Sequence, residues 1–430
     1  MRSLLLLDLE GKDFTRLEKN LYFLLAAFFI TLYLPRMPVV NNLFIGLIFI
    51  HCWRMSTRAE KKEALRKRRA LIFIFLFFGL QIVSALVSSN RHEAVTMLAM
   101  RSPLLLFPLS IGLIQIRKEL RFRILLTYSL TVVLAAAVCL VTAWFQFKRS
   151  GDITYLYDDG LTAAIDRQSI YFSLIVDFAL FAFTYLLFKR SFAIEHPGGV
   201  YLCIAFLLVI QFMLASRIAI IGLYSGLLVI ALAWMIKNRK LVRGLTLILA
   251  LVGVFFLLVH WFPKTMDKFK EMTYTAYQFD ARPIENRVDK RRVNPEQWNG
   301  MNIRLAVWKC AGELVDHNWV MGIPLGDKQD RLMDVYRAKH FDFALTTRRN
   351  MHSTYLDVLA NLGVVGLILF LLGFLFLPAV ACYKDNDALG GFILISFAIA
   401  LSTETYIDKS VGCILLGFFI SFVLSTKKPV

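Results

Sequence analysis

Long uninterrupted runs of apolar residues are the feature that most constrains how this chain can fold. A helix needs about 20 apolar residues to cross the roughly 30 Å hydrocarbon layer of a membrane, and runs of about that length recur along the whole sequence. They lie at about 20–35, 38–53, 70–88, 98–116, 123–146, 168–188, 199–215, 218–236, 242–262, 353–381, 389–405 and 411–425. The sequence therefore predicts an all-α polytopic membrane protein with about twelve transmembrane helices.

The distribution of lysine and arginine predicts how these helices are oriented. Short cytoplasmic loops of membrane proteins are enriched in basic residues. If the N-terminus is cytoplasmic, the inside segments hold about 25 of the 49 basic residues, with the densest cluster at 54–69. Both termini are then cytoplasmic, and the one long loop lies outside. The net charge of +18 is mostly this topology signal, and nothing in it indicates nucleic-acid binding.

The long loop divides the chain into three regions. We expect an N-terminal bundle of about nine spans over 1–262, a large periplasmic loop over 263–352, and about three C-terminal spans over 353–430. Within the loop, apolar residues at helical spacing predict a helix over about 302–316, with Asn302 as its N-cap. Residues 281–299 are polar and punctuated by proline, which is typical of a mobile flap. The polar, amphipathic first twenty residues predict no signal peptide.

The sequence holds no pattern for a metal or nucleotide cofactor. Its six cysteines are scattered, and only Cys310 is predicted to reach the outer compartment, so a disulfide framework is not expected. No cysteine or histidine spacing resembles a metal site. Neither a phosphate-binding P-loop nor a GxGxxG motif is present, and we predict no cofactor.

Ionisable residues at the ends of the predicted spans are candidate functional residues, because charge in or near a membrane is costly. With the orientation above, all of them fall at the outer edge of the membrane. They are Arg101, Asp166, Arg167 and the adjacent Gln168, Arg217, Arg304, His352, Glu404, Asp408 and Lys409.

Each of these residues also has a simpler interpretation that involves no chemistry. A long cationic side chain can snorkel to the headgroups or sit in a loop, which would account for Arg101, Arg167 and Arg217. Arg304 could be a surface charge on the amphipathic loop helix, and Glu404 could form a structural salt bridge. The sequence alone leaves both interpretations open for each residue.

His352 precedes a long apolar helix and is the candidate general base. Ser353 or Thr354 can cap that helix, and Asp357 is placed to complete a Thr354-x-x-Asp357 capping box. The imidazole would then lie at a helix N-terminus, whose dipole disfavours protonation. A neutral histidine is what general-base catalysis requires, whereas an interfacial histidine without a chemical role is the simpler interpretation.

Several arginines beside one neutral base suggest a particular chemistry. Arg304 and Trp308 are four residues apart and share a helix face. Arginines stabilise phosphate oxygens without a metal, and the base can take a proton from an attacking hydroxyl. The residues therefore predict transfer onto a hydroxyl group, with a lipid-linked phosphate or pyrophosphate as the leaving group.

Several motifs of the chain resemble the bacterial O-antigen ligase and O-antigen polymerase superfamily, in the order typical of that group. The resemblance covers roughly 200–425 and is weaker in the first half, where "DRQSIYFS" carries it. The motifs are "SRIAIIGLYSG", "NIRLAVW", "MGIPLG", "HSTYLDVLANLGVVGLILF" and "TETYIDKSVGCILLGFF".

The resemblance implies a metal-independent glycosyltransferase of the GT-C type in the bacterial inner membrane, with its active site facing the periplasm. Its donor would be an undecaprenyl-pyrophosphate-linked glycan and its acceptor lipid A–core, with inversion at the transferred sugar. By position, His352 corresponds to the catalytic base, and Arg217 and Arg304 correspond to the pyrophosphate-binding arginines. From the topology we add Arg101 and Arg167 as further pyrophosphate contacts. Predicted supporting residues are Gln168, Trp308, Tyr355 and Glu404.

One departure from the family pattern and three alternative functions stay open. Many relatives have asparagine after the histidine, whereas this chain has Ser353, which puts only the local hydrogen bonding in doubt. A polymerase would use the same donor, with a second lipid-linked repeat as acceptor. A transporter or flippase would place charges through the middle of the membrane and show internal repeats, and a membrane scaffold would not need Arg217 and His352 together. We favour the ligase.

Overall fold

The computed structural model describes residues 14–188, 197–239, 241–270, 275–279, 297–316 and 318–425. Within these ranges every regular element is helical and no strand is present, which confirms the all-α prediction. Most of the predicted flap at 281–299 lies outside the described residues.

Thirteen α-helices lie between residues 14 and 270 in the described part of the chain. They are α1 (Arg16–Thr31), α2 (Pro38–Met55), α3 (Arg58–Lys67), α4 (Ala70–Leu86), α5 (Arg91–Arg101), α6 (Pro103–Ser110), α7 (Lys118–Ser150), α8 (Asp158–Leu161), α9 (Ser169–Phe188), α10 (Pro197–Met213), α11 (Arg217–Asn238), α12 (Leu241–Trp261) and α13 (Pro263–Lys270). The rest of the large loop contributes α14 (Gly300–Asp316), α15 (Lys328–Ala338) and α16 (Asp342–Thr346). The C-terminal helices are α17 (Thr354–Phe370), continued by a π-helical stretch (Leu371–Phe376) into α18 (Leu377–Lys384), then α19 (Ala388–Thr403) and α20 (Ser410–Ser425).

Each of the twelve apolar runs contains helix. Among the described residues, however, fewer than twelve helices are long enough to pass as membrane spans. Among the described residues, five helical stretches are long and apolar enough to cross a membrane. They are Pro38–Met55, Arg91–Leu113, Lys118–Ser150, Ser169–Phe188 and Thr354–Lys384. A sixth is obtained if α3 and α4, which are bent by 94°, form one broken span. The count of twelve is not confirmed, because helices such as α19 and α20 have only 16 residues each, about 24 Å in length.

Helix α20 lies at the centre of the helical bundle. All of its residues from 412 to 425 are buried. The Phe418 ring lies 5.9 Å from Phe28 of α1 and 5.5 Å from Phe107 of α6, measured between ring centroids. A Cβ added at Gly417 would lie 2.5 Å from the carbonyl oxygen of Pro103. Glycine therefore lets α20 approach the backbone of α6 closely, as small residues do between membrane helices.

Helices α11 and α19 run antiparallel against each other. A Cβ at Gly226 would lie 2.5 Å from the Phe392 ring, and the same ring stacks on Phe181 of α9 with centroids 4.2 Å apart. Gly222, one turn earlier, faces Ser396, one turn later. This register brings Arg217, at the start of α11, to the same end of the bundle as the last residues of α19.

The large loop forms a second apolar cluster that packs on α17. Trp298 and Tyr336 both pack against Phe341, with ring centroids 4.7 and 5.3 Å apart. Helix α14 occupies the place predicted for a helix over 302–316. The predicted N-cap, Asn302, is wrong: the helix begins earlier, and the Asn299 side chain accepts hydrogen bonds from the amides of residues 301 and 302, each at 2.9 Å.

Candidate functional site

The candidate site lies where the starts of α11 and α17, the face of α14 and the end of α19 meet. The Thr354 hydroxyl fastens two of these segments together. It donates to the carbonyl oxygen of Glu404 at 2.8 Å and accepts from the amide of Tyr406 at 3.0 Å. The start of α17 is therefore joined to the connection between α19 and α20. This joint places His352 beside Glu404.

His352 and Glu404 form a hydrogen-bonded pair. The Nδ1 atom of His352 lies 3.3 Å from Oε2 of Glu404, and the two side chains are 14% and 12% exposed. An ionised carboxylate only accepts hydrogen bonds, so in the neutral imidazole Nδ1 carries the proton and Nε2 has the lone pair. Nε2 is buried and has no hydrogen-bond partner among the described residues. It is therefore the atom of the pair that can accept a proton.

The backbone of His352 is held in an unusual conformation. Its φ is +46°, a left-handed conformation that is uncommon for residues other than glycine. The Asn350 side chain accepts from the His352 amide at 3.2 Å, and the Trp308 indole donates to the His352 carbonyl at 3.4 Å. Such strain persists where surrounding contacts determine the conformation, often at functional sites. Trp308 thus supports the predicted base through its backbone.

The N-terminus of α17 differs from the predicted capping box. Ser353 is the N-cap, and its hydroxyl accepts from the amide of Leu356 at 3.4 Å. The box with Thr354 and Asp357 does not form, because the Thr354 hydroxyl bonds to residue 404 and the Asp357 carboxylate bonds to Arg101 and Lys328. Ser353 therefore supplies the cap of α17.

Arg304 reaches across from α14 to the end of α19. Its Nε donates to the carbonyl of Thr403 at 2.8 Å, its Nη1 donates to the carbonyl of Gly300 at 2.6 Å, and its Nη2 lies 3.7 Å from Oε2 of Glu404. Burial lowers the pKa of Arg304; the Glu404 charge opposes this shift, and the positive charges of Arg217 and Arg349 add to it. Arg304 still carries its charge at neutral pH.

Arg217 lies next to Arg304, on the other side of a glycine. A Cβ at Gly300 would lie 2.6 Å from Nη2 of Arg217 and 3.4 Å from Nη1 of Arg304. Any side chain at position 300 would therefore push the two guanidinium groups away from the backbone of this residue. The predicted pair of pyrophosphate-binding arginines is thus brought together with His352.

A third arginine of this site, Arg349, was not among the predicted residues. It is half-buried and lies close enough to affect the pKa of Arg304. The signal was its position, three residues before His352. Three arginines and one carboxylate make the site cationic. Burial raises the pKa of Glu404, but hydrogen bonding to His352 and the positive charge of Arg304 outweigh burial and leave this pKa lowered.

Arg101 lies elsewhere, in a buried ion cluster formed by Arg101, Lys328, Asp357 and Asp408. The Arg101 guanidinium lies 3.2 Å from Asp357 and 2.7 Å from Asp408. The Lys328 ammonium contacts both carboxylates, at 2.9 Å for Asp408. Burial raises the pKa of Asp408, but Lys328 and Arg101 lower it to about 2. Among the described residues Arg101 makes no hydrogen bond with His352, Arg217 or Arg304, so its geometry favours a structural role.

The remaining predicted residues also lie outside the contacts of His352. Arg167 donates from Nε to the carbonyl of Leu32 at 3.3 Å, and the Gln168 side chain is exposed. Burial lowers the pKa of Arg167, which the neighbouring Asp166 opposes. The Tyr355 hydroxyl donates to the carbonyl of Ala398 at 2.9 Å, which fastens α17 to α19.

The described part of the chain offers no set of metal ligands at this site. No group of three or more His, Cys, Asp or Glu residues there could hold a metal ion. All six cysteines are free, and five of them are buried.

The fold and the site define the class of protein. This is an all-helical, multi-pass membrane protein with a histidine–glutamate pair and converging arginines at one end of its bundle. Comparison with known families identifies it further. A family profile described as O-Antigen ligase matches residues 202–371, a range that includes Arg217, Arg304 and His352. The match confirms the resemblance seen in the motifs and supports the O-antigen ligase and polymerase superfamily.

The family profile does not extend over the whole chain. Glu404, Arg101 and Arg167 lie outside residues 202–371, so their roles are argued from the geometry alone. A search of curated proteins finds none that matches this chain.

Proposed function

We propose that this protein is an O-antigen ligase, a GT-C-type glycosyltransferase that moves a glycan from undecaprenyl pyrophosphate to a sugar hydroxyl of lipid A–core. The observation that carries the proposal is the Nε2 atom of His352, which is unpartnered beside Glu404 and next to the arginines 217 and 304. A base that faces a cationic pocket suits a hydroxyl nucleophile and a pyrophosphate leaving group. The family match supports a lipid-linked glycan donor and a lipid acceptor in general.

The reaction follows as a single displacement. Nε2 of His352 takes the proton of the acceptor hydroxyl while the hydroxyl oxygen attacks C1 of the donor sugar. The bond from C1 to the pyrophosphate oxygen breaks on the opposite face, so the anomeric centre inverts. Glu404 acts as a positioning residue, because it holds the imidazole through Nδ1 and stabilises the imidazolium that forms. The proton then leaves His352 for water or the departing pyrophosphate.

The arginines act on the charge that develops on the leaving group. A well-placed donor to such a charge contributes about 3–4 kcal/mol to transition-state stabilisation. Arg217 and Arg304 are the candidates for direct contact, and Arg349 adds positive charge behind them. Helix α14 covers the site with Arg304 and Trp308, so it has to move to admit a bulky acceptor.

The proposed location follows from the positive-inside rule. The protein would lie in the bacterial inner membrane with both termini cytoplasmic. The end of the bundle that carries His352, together with α14–α16, would face the periplasm.

The test is complementation of a strain that lacks this gene, with lipopolysaccharide read on a gel. We expect wild type to restore a ladder, and His352→Ala, Arg217→Ala and Arg304→Ala to give core only at normal membrane levels. Glu404→Gln should lower the transfer rate by about 100-fold. The matched controls are His340→Ala and Arg337→Ala, both exposed on the outer loop, which should restore the full ladder.

The same gel separates the outcomes. Long chains that remain on the lipid carrier in the deletion strain are expected for a ligase. Core that carries a single repeat would instead identify the polymerase. A full ladder from His352→Ala would show that the histidine is not the base.

A further inference from the structure

A short turn of the outer loop exposes three consecutive apolar side chains. Trp319, Val320 and Met321 follow helix α14 and are 57%, 44% and 80% exposed. We refer to residues 319–321 as the apolar turn. Three adjacent apolar side chains on one turn form an exposed apolar patch, and such patches mark protein–protein or membrane interaction sites.

The apolar turn is fastened to α17 by backbone hydrogen bonds on both sides. The amide of Val364 donates to the carbonyl of Trp319 at 2.8 Å, and the amide of Ile323 donates to the carbonyl of Ala360 at 2.7 Å. These bonds fix the turn in register with residues 360–364 of the helix. The exposure of its side chains is therefore a property of a defined conformation.

Two glycines allow this close approach. Gly363 interrupts the helical geometry of α17 with φ 65° and ψ −169°, a conformation that essentially only glycine adopts. A Cβ there would overlap the carbonyl oxygen of Val320, and a Cβ at Gly322 would overlap the backbone of Asn361. The apolar turn thus lies directly against the break in α17.

Span length predicts that α17 enters the hydrocarbon close to this break. The continuous stretch Thr354–Lys384 has 31 residues, whereas a span needs about 20. Counting about 20 residues back from the basic end at Lys384 places the opposite boundary near Val364. Exposure agrees with this position, because Val365 and Ile368 are exposed whereas residues 360–363 are buried by the rest of the chain.

We propose that the apolar turn is a membrane-interface anchor, whose Trp319 and Met321 side chains insert into bilayer lipid beside the break in α17. The occupant is lipid because the turn continues the lipid-facing surface that begins at Val365. Tryptophan is enriched at this level of membrane proteins, since its ring is apolar and its N–H can remain hydrated. The anchor seats the end of α14, the helix that carries Arg304, on the membrane.

The test measures the position of the turn directly and does not depend on glycosyl transfer. Nitroxide labels are attached at Met321→Cys and, separately, at Trp319→Cys, in a Cys203→Ala background, since the other native cysteines are buried. The protein is reconstituted in vesicles of phosphatidylethanolamine and phosphatidylglycerol. Collision rates with oxygen, which concentrates in lipid, and with a water-soluble nickel complex are measured by electron paramagnetic resonance. The matched control label is at Asp334→Cys, which is exposed on α15.

We expect the ratio of oxygen to nickel collisions to be several-fold higher at both 319 and 321 than at 334. A ratio at either turn position that equals the control would place the apolar turn in water, free to dock a soluble partner, and would overturn the proposal. Because the readout is lipid exposure, this outcome is distinct from any failure of the proposed glycosyltransferase activity.

Discussion

The buried ion cluster makes a quantitative prediction about stability. It contains two cations and two anions, and none of the four side chains is more than 7% exposed. Replacing Lys328 by methionine leaves Arg101 facing both Asp357 and Asp408, which is one uncompensated buried negative charge. Breaking a buried ion pair in this way costs about 3–5 kcal/mol, a large part of a typical stability of about 5–15 kcal/mol.

The charge balance can be restored by a second change. Lys328→Met combined with Asp357→Asn leaves the pair of Arg101 and Asp408, which is neutral, so most of the lost stability should return. The assay is thermal unfolding of the detergent-solubilised variants, followed by intrinsic fluorescence at pH 7. Lys339→Met is the matched control, because Lys339 pairs with Glu313 at the surface and should contribute at most about 1 kcal/mol.

Two results would refute this reasoning. If Lys328→Met is as stable as Lys339→Met, the ion cluster is not buried away from water in the way that the structure shows. If the double variant is less stable than Lys328→Met, uncompensated charge is not the cause of the loss.

Two further predictions concern backbone geometry and pH. Gly363→Ala should lower the free energy of unfolding by about 1–3 kcal/mol or more, because alanine is forced into a conformation that essentially only glycine adopts. Gly79→Ala is the control and should melt near wild type, since a Cβ there has no neighbouring atom within 4 Å. Equal melting temperatures for the two variants would contradict the helix break. The pKa of Asp408 is lowered to about 2, so its stabilising contribution is present above about pH 4, the unfolded value, and is lost as pH falls toward 2. The melting temperatures of wild type and Asp408→Asn should therefore differ most above pH 4 and converge below it, and a difference independent of pH would show that the carboxylate charge does not stabilise the fold.

The helices were predictable because apolar runs are local features of the sequence. The positions of Arg217, Arg304 and His352 at one end of the bundle followed from the same information, since consecutive spans alternate in direction. The number of membrane-crossing helices did not follow, because apolar character alone does not distinguish a full span from a shorter helix buried among neighbours. Helices α19 and α20, with 16 residues each, are shorter than a typical span of about 20 residues.

Partner choice was the part that the sequence could not predict. Arg101 lies in a buried ion cluster, and its carboxylate partners are 256 and 307 residues further along the chain. Asp357 has the spacing of a capping-box residue, and only the packed structure shows that a buried cation competes successfully for its side chain. A buried charge without a partner is more costly than an unmade cap, so the ion cluster forms.

The ion cluster and the candidate site share their supporting backbone. Glu404, which holds His352, and Asp408, which belongs to the cluster, lie four residues apart on the connection between α19 and α20. Asp357 lies one turn after the Ser353 cap, on the helix that His352 precedes. The cluster therefore holds both segments that carry the histidine–glutamate pair. Because Lys328 comes from the large loop, the cluster is charge-balanced only when that loop is packed on the bundle, the same arrangement that brings Arg304 to Glu404.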